Sequence, residues 1–236
     1  INALYDKKKL ELNQIEKFIQ TMKKNNIAGL NVTVPFKNII IPYLDRLSPD
    51  AEKTQSVNTV VLENNNLIGY NTDIGGFTKA IKNLNFNIKG KKIFILGAGG
   101  VVPSIIFALN KMQIFEITIS NRTREKAEKL KSYFKNLKIL DWGSLPNFDV
   151  IINATSLGLN EDVINLDLSK IGNDKLFYDV IYNPAETNFL KEGRKLGNIV
   201  ENGKLMFIYQ ALEAFKLWHG IEPKVDDNII KLLNND

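Results

Sequence analysis

From about residue 90 onward, short apolar runs alternate with amphipathic stretches. That alternation confines this part of the chain to a parallel sheet with helices on both faces. Lys92-Ile-Phe-Ile-Leu96 reads as a buried strand and 104–109 as the body of the helix that follows it. Residues 117–120 form the next strand, and 124–134 carry the pattern of a charged amphipathic helix. Further strands are predicted at 138–140, 149–152, 176–180 and 198–200, with a helix over 186–196 between the last two.

The first ninety residues follow a different rhythm. Leu12, Ile15, Phe18, Ile19 and Met22 share one helical face, and 30–34 follows as a strand. Residues 60–62 and 67–70 flank Asn64-Asn65-Asn66, the composition of a hairpin turn. Helices are expected again at 206–217 and 227–233. The chain is therefore α/β, with two domains expected. A first domain covers 1–74, with 207–236 packing back on it, and a doubly wound domain of the Rossmann type covers 75–206.

Gly97-Ala98-Gly99-Gly100 stands at the turn from the first strand of the alternating region into its helix. Glycine there lets backbone N–H groups approach a pyrophosphate at a helix N-terminus, although the same string could serve only as a tight turn. Pro103 suits the first helical turn, where its lack of an N–H costs nothing. The second strand runs into Ser120-Asn121-Arg122-Thr123-Arg124 rather than ending on an acid. An acid would favour a ribose 2′-hydroxyl, whereas arginine offers a charge-assisted fork for a 2′-phosphate, so NADP is expected over NAD. Asn153-Ala-Thr-Ser156, Asp179 to Pro184 and Asn202-Gly203 should lie along the carboxyl edge of the same sheet, where ligands of such folds bind.

In the first domain, Asn31-Val-Thr-Val-Pro-Phe-Lys37, Asn58-Thr59 and Asn71-Thr-Asp73 each end an apolar run with amides, hydroxyls and, in two cases, an ionisable group. Singly, Asn31 and Thr33 could close turns, Lys37 could be solvated and Asp73 could cap a helix. Together they could grip a polyhydroxylated substrate, with Lys37 and Asp73 as a proton-transfer pair.

Composition removes several alternatives. The chain has no cysteine, and its single histidine, His219, stands at a helix end, so thiolate chemistry and a histidine-built metal site are not expected. The net charge of +5 comes from lysines spread along the chain, without a basic stripe or nucleic-acid motif. No apolar run approaches the ~18 residues of a membrane span. The expectation is a cytoplasmic monomer or homodimer acting on a small molecule, without nucleic-acid, membrane or metal partners.

In order along the chain, Asn-Val-Thr-Val-Pro-Phe-Lys, Val57-Asn-Thr59, Asn71-Thr-Asp73, Gly-Ala-Gly-Gly, Asn-Arg-Thr, Asn-Ala-Thr-Ser and Met206…Gln210-Ala-Leu resemble the shikimate dehydrogenase family. The resemblance implies NADP-linked interconversion of 3-dehydroshikimate and shikimate, in aromatic amino-acid biosynthesis. By position it makes Lys37 the catalytic lysine and Asp73 its partner carboxylate. Thr33, Asn58, Tyr182 and Gln210 then hold the substrate's hydroxyls and carboxylate. Gly97, Ala98, Gly99, Gly100 and Val101 meet the cofactor, as do Asn121, Arg122, Thr123 and Arg124, while Val180, Gly203 and Met206 line its nicotinamide end. Gln55-Ser56 stands where the family commonly has Gly-Ala, and Val102 where it has alanine. The family also opens with a strand–helix unit bearing a Ser-x-Ser pair that this chain lacks. Loss of that strand would leave its neighbour's backbone groups unpaired, so an encoded protein about thirty residues longer is expected.

In such a reaction Lys37 would serve as general base in oxidation and general acid in reduction. If it enters the first turn of a helix after Pro35, the dipole disfavours its charge, whereas a nearby Asp73 favours it. Two rival functions remain: a quinate/shikimate dehydrogenase of broader substrate choice, and a non-catalytic NADP(H)-binding module.

Overall fold

The computed structural model describes residues 2–25, 27–160, 162–169 and 171–232, and the chain divides into two compact units, Ile1–Tyr70 and Asn71–Asp236. In the first unit a 3-10 turn, Leu12–Gln14, leads into α1 (Ile15–Lys24). Ile15, Ile19 and Met22 are buried as their spacing predicts, but Leu12 lies in the 3-10 turn and is exposed. Strand β1 (Gly29–Asn31) ends before the expected residue 34: Val32 N–H still donates to Asn58 O, and the chain then passes into turns from 34 onward. Strand β2 (Arg46–Leu47) precedes α2 (Pro49–Thr54), a helix that the apolar pattern does not reveal. Ser48 caps α2 through its hydroxyl, and Pro49 opens it. The helix ends at Gln55 in the left-handed conformation, φ 49° and ψ 40°. Glycine is least strained there, which accounts for the residue the resemblance expects at 55.

Strands β3 (Thr59–Glu63) and β4 (Asn66–Tyr70) pair antiparallel with Glu63 opposite Asn66, so the hairpin loop is Asn64-Asn65. Both asparagines have positive φ, 48° and 63°, the conformation in which a two-residue loop follows the strands' twist. The sheet order is β1-β3-β4-β2, with β2 parallel to β4. Its core joins Ile15, Ile19 and Met22 to Val32, Ile40, Val57, Val60 and Leu67.

The second unit begins with α3 (Asp73–Lys82) and then alternates β5 (Lys92–Leu96), α4 (Val102–Lys111), β6 (Glu116–Ser120), α5 (Arg124–Tyr133), β7 (Leu137–Leu140) and β8 (Val150–Asn153). There follow β9 (Leu176–Asp179), α6 (Asn188–Lys195), β10 (Ile199–Glu201), α7 (Lys204–His219) and α8 (Asp227–Leu232). Leu233, expected in the last helix, lies outside the described residues. The sheet order is β10-β9-β8-β5-β6-β7, with every neighbouring pair parallel. The chain thus starts in the middle and reverses direction between β5 and β8, the Rossmann topology with its switch point there. Alternate strand residues enter different layers: Ile93 and Ile95 join Val102, Ile105 and Ile152, while Phe94 and Leu96 join Phe148, Phe177 and Phe189. Val102, in place of the expected alanine, is fully buried in the first layer.

The division differs from the expected 1–74 and 75–206. Both α3 and α7 lie in the second unit, whereas the sequence leads one to expect 207–236 to pack back on the first domain. Helix α7 packs along α3 because Gly75 and Gly76 present no side chains: a Cβ on Gly76 would lie 2.8 Å from Gln210 Cβ and from Met206 O.

Candidate active site

In the first unit, backbone hydrogen bonds gather three of the expected site residues. Val32 N–H donates to Asn58 O at 2.8 Å, and Val57 N–H donates to Lys37 O at 2.7 Å. Thr33 is exposed, Lys37 half-buried and Asn58 buried, the three held near one another by these backbone bonds. Thr59 Oγ1 donates to Asn58 Oδ1 at 3.3 Å, fixing the amide's orientation. Lys37 does not enter a helix: 34–40 is a run of turns, with Phe36 N–H on Thr33 O and Ile40 N–H on Phe36 O. The helix start that the expected dipole argument requires is therefore not formed at Lys37.

In the second unit the register sets Leu96, Ser120, Asn153 and Asp179 in one row. The residues after them accordingly emerge along one edge. Gly97 follows Leu96 with φ 106°, and a Cβ on it would lie 2.8 Å from Ala154 O. Only glycine lets the loops after β5 and β8 touch at the switch point. Gly97, Ala98, Gly99 and Gly100 then lead through Val101, the N-cap, into α4, with Pro103 in its first turn. Nothing approaches a Cβ on Gly99 closer than 3.9 Å, so its backbone is open to a ligand on that side.

These residues suit a dinucleotide phosphate: a helix N-terminus, an open glycine and a strand end with an arginine. Ser120 Oγ, buried in the same strand end, has no hydrogen-bond partner among the described residues. Asn121 Nδ2 donates to Thr123 O at 2.7 Å, closing the turn into α5. Arg122 is exposed and meets no carboxylate among the described residues. Arg124 differs, for its guanidinium lies 2.5 Å from Asp141 Oδ1 and 3.3 Å from Glu128 Oε1. Of the two arginines, Arg122 is therefore the one available to a 2′-phosphate.

A buried network braces the edge beyond β8 and β9. Asn153 Nδ2 donates to Asp179 Oδ1 at 3.0 Å, Thr187 Oγ1 to Asp179 Oδ2 at 2.6 Å and Ile181 N–H to Asp179 Oδ1 at 3.0 Å. Asn153 Oδ1 in turn accepts from the hydroxyl and N–H of Thr155. Burial pushes the Asp179 carboxyl up from its ordinary range, opposed by the hydrogen bonds from Thr187, Ile181 and Asn153. The loop therefore rests on fixed partners. Thr187, which also caps α6, gave no sequence signal, being eight residues from the aspartate it holds. Beyond the network, Gly203 packs so closely on Val180 that a Cβ would sit 2.0 Å from Val180 O. Met206 is buried on the next turn.

Asp73 is buried and is the first residue of α3. Gly75 and Gly76, which belong to no motif legible in the sequence, bring α7 against this turn and set Gln210 beside it. Gln210 Nε2 donates to Phe207 O at 2.9 Å, and the Phe207 ring stacks on Tyr182 with centroids 4.5 Å apart. The fold thus links Asp73, Gln210 and Tyr182 through α3 and α7. Burial pushes Glu213, one turn further along α7, upward, and Lys79 at 3.4 Å opposes it.

Three family models match successive parts of the chain. Residues 1–60 match the shikimate dehydrogenase substrate binding domain, 78–171 the shikimate/quinate 5-dehydrogenase family and 205–227 the shikimate 5′-dehydrogenase C-terminal domain. A shikimate dehydrogenase (NADP(+)) of Pelagibacter ubique is 55% identical over 235 residues, 99% of this chain and 89% of that protein. The crystal structure of shikimate dehydrogenase from Aquifex aeolicus is similar with a TM-score of 0.86 at 37% identity, covering 96% of this chain and 84% of that one. That of the Thermus thermophilus enzyme, in complex with NADP(H) and shikimate, gives 0.84 at 30% identity, covering 95% and 84%. With sequence, domain order and fold in agreement, the chain belongs to the shikimate dehydrogenase family.

Proposed function

We propose that this chain carries out the reversible NADP-linked reduction of 3-dehydroshikimate to shikimate, with Lys37 moving the proton. The observation that supports this most is the edge of the second unit's sheet. There an open glycine turn precedes a helix N-terminus, and Arg122, exposed and meeting no carboxylate among the described residues, follows the neighbouring strand. Bound NADP supplies the two-electron exchange with the substrate's secondary alcohol. Gly97 to Val101 hold its pyrophosphate by backbone N–H groups, Arg122 holds the 2′-phosphate, and Asn121, Thr123 and Arg124 shape that end of the pocket. Val180, Gly203 and Met206 pack against the nicotinamide end.

Lys37 removes the hydroxyl proton in oxidation and returns it in reduction. Asp73 accepts a hydrogen bond from a substrate hydroxyl, holding the reacting carbon in place. Thr33, Asn58, Tyr182 and Gln210 supply the remaining hydroxyl and carboxylate contacts. The test is formation of reduced cofactor, NADPH from NADP+ or NADH from NAD+, by the purified protein with shikimate or quinate. Turnover is expected with shikimate and NADP+. Faster turnover of quinate would favour the broader dehydrogenase, and no turnover of either would favour a binding module.

A further inference from the structure

Asn71 and Ser104 are hydrogen-bonded inside the second unit. Asn71 Nδ2 donates to Ser104 Oγ at 2.8 Å, the shorter of the two contacts between that hydroxyl and the amide, Oδ1 lying at 3.2 Å. Ser104 is 0% exposed and Asn71 8%, so water does not compete for either side chain. The pair joins two positions of consequence. Asn71 stands two residues before Asp73, just ahead of Thr72, the N-cap of α3. Ser104 is the third residue of α4, in the turn that follows the Gly97–Gly100 loop, and its N–H donates to Val101 O at 3.1 Å.

We propose that Asn71 and Ser104 are positioning residues that couple the binding of NADP(H) to that of shikimate. The proposal rests on the roles given above to Asp73 and to the α4 N-terminus. Phosphate binding at a helix N-terminus acts on its first turn, where anion and unpaired N–H groups meet. Ser104 belongs to that turn, and its hydroxyl is fixed to the side chain that begins the approach to Asp73. Seating of the first turn of α4 thus sets the entry of α3 and the aim of the Asp73 carboxylate. Because coupling between two binding sites is reciprocal, shikimate must tighten NADPH binding by the same factor as NADPH tightens shikimate binding.

Calorimetry with shikimate and NADPH, a combination that cannot turn over, measures all four arms of this cycle. The wild type should show a coupling factor within the usual range of about 5–150-fold. In Ser104→Ala that factor should fall towards one, with shikimate binding to the free protein nearly unchanged. Ser104→Thr, which keeps the hydroxyl, should retain coupling. Thermal midpoints of each variant report folding separately. A lowered midpoint in Ser104→Ala with undiminished coupling would make the pair purely structural and overturn the proposal, as would a wild-type factor of one. Asp73→Asn separates the two failures. Unchanged shikimate affinity in that variant would overturn the assignment of Asp73 to substrate, and this proposal with it. Weakened shikimate affinity there, combined with full coupling in Ser104→Ala, would overturn this proposal alone.

Discussion

The two units carry their functional groups in different ways. In the second, every sheet neighbour is parallel and the register ends Leu96, Ser120, Asn153 and Asp179 in one row, so topology alone brings their successors to one edge. In the first, the sheet is mixed, and Thr33, Lys37 and Asn58 are gathered by single backbone hydrogen bonds from a run of turns. A parallel sheet specifies where its ligand edge lies before any side chain is chosen. A mixed sheet does not, and its site depends on the path of one loop. The proton-moving group is assigned to the less constrained setting and the cofactor grip to the more constrained one.

The largest effect should follow from removing the chemistry assigned to the first unit. Lys37→Ala should lower kcat by about 10²–10⁴-fold, the usual worth of a positioned acid–base group, with far less change in shikimate affinity. Steady-state kinetics check this. A variant keeping more than half of normal turnover would remove Lys37 from proton transfer and leave its loop with a binding role only.

The next effect tests the cofactor edge. A hydrogen bond to a charged group contributes about 1.5–3 kcal/mol, so Arg122→Ala should weaken NADP+ by about ten- to a hundredfold and leave NAD+ nearly unchanged. Arg124→Ala should change NADP+ affinity by less than about threefold, because its guanidinium already serves Asp141 and Glu128 in exposed ion pairs of small net worth. Equal losses of both cofactors in Arg122→Ala would show the residue to be structural.

That contrast between the arginines also marks how far sequence could be read. The strands from β5 to β10 and the glycine turn after β5 were legible, because a fully buried strand writes itself as a short apolar run and a tight strand-to-helix turn as glycines. The capture of Arg124 by Asp141 joins residues 17 apart and leaves no local pattern. Helix α2, six residues long and held by its Ser48 cap, is too short for periodicity to register. Gly75 and Gly76 read only as poor helix formers, and their purpose emerges once α7 lies against them. The turns at 34–40 look like a helix start in sequence for the same reason: Pro35 is compatible with either, and the bond from Val57 to Lys37 O that fixes the loop comes from twenty residues away.

A smaller effect concerns the core beneath the second unit's edge. Tyr178 on β9 is fully buried, its ring lies 5.4 Å edge-on from Phe77, and its hydroxyl has no partner among the described residues. Burial pushes that hydroxyl's pKa up, so it remains neutral and unpaid for by any hydrogen bond. Tyr178→Phe keeps the ring contact and removes the orphan, so stability should rise by about 1 kcal/mol, seen as a higher urea midpoint. A fall of that size would mean that the hydroxyl bonds to a buried water.

The smallest effect belongs to the first unit and depends on pH. Asp45 Oδ2 accepts from Leu67 N–H at 2.7 Å and from Lys23 Nζ at 2.8 Å. The backbone bond first, then the lysine, hold its carboxyl below the ordinary range. A carboxyl lowered on folding contributes stability that is complete above its unfolded value of about 3.9 and is lost as pH falls through the lower folded value. Both partners are about a third exposed, so solvent screening limits the contribution to at most about 1 kcal/mol. Asp45→Asn keeps an acceptor for Leu67 N–H but no charge for Lys23. It should therefore be slightly less stable than the wild type at pH ~6, with the gap closing below pH ~4. Exchange of the Leu67 amide with solvent deuterium, followed at both pH values, reads the effect where it originates. A gap that persists unchanged into acid would mean that the carboxylate's shape, not its charge, holds β2 to β4.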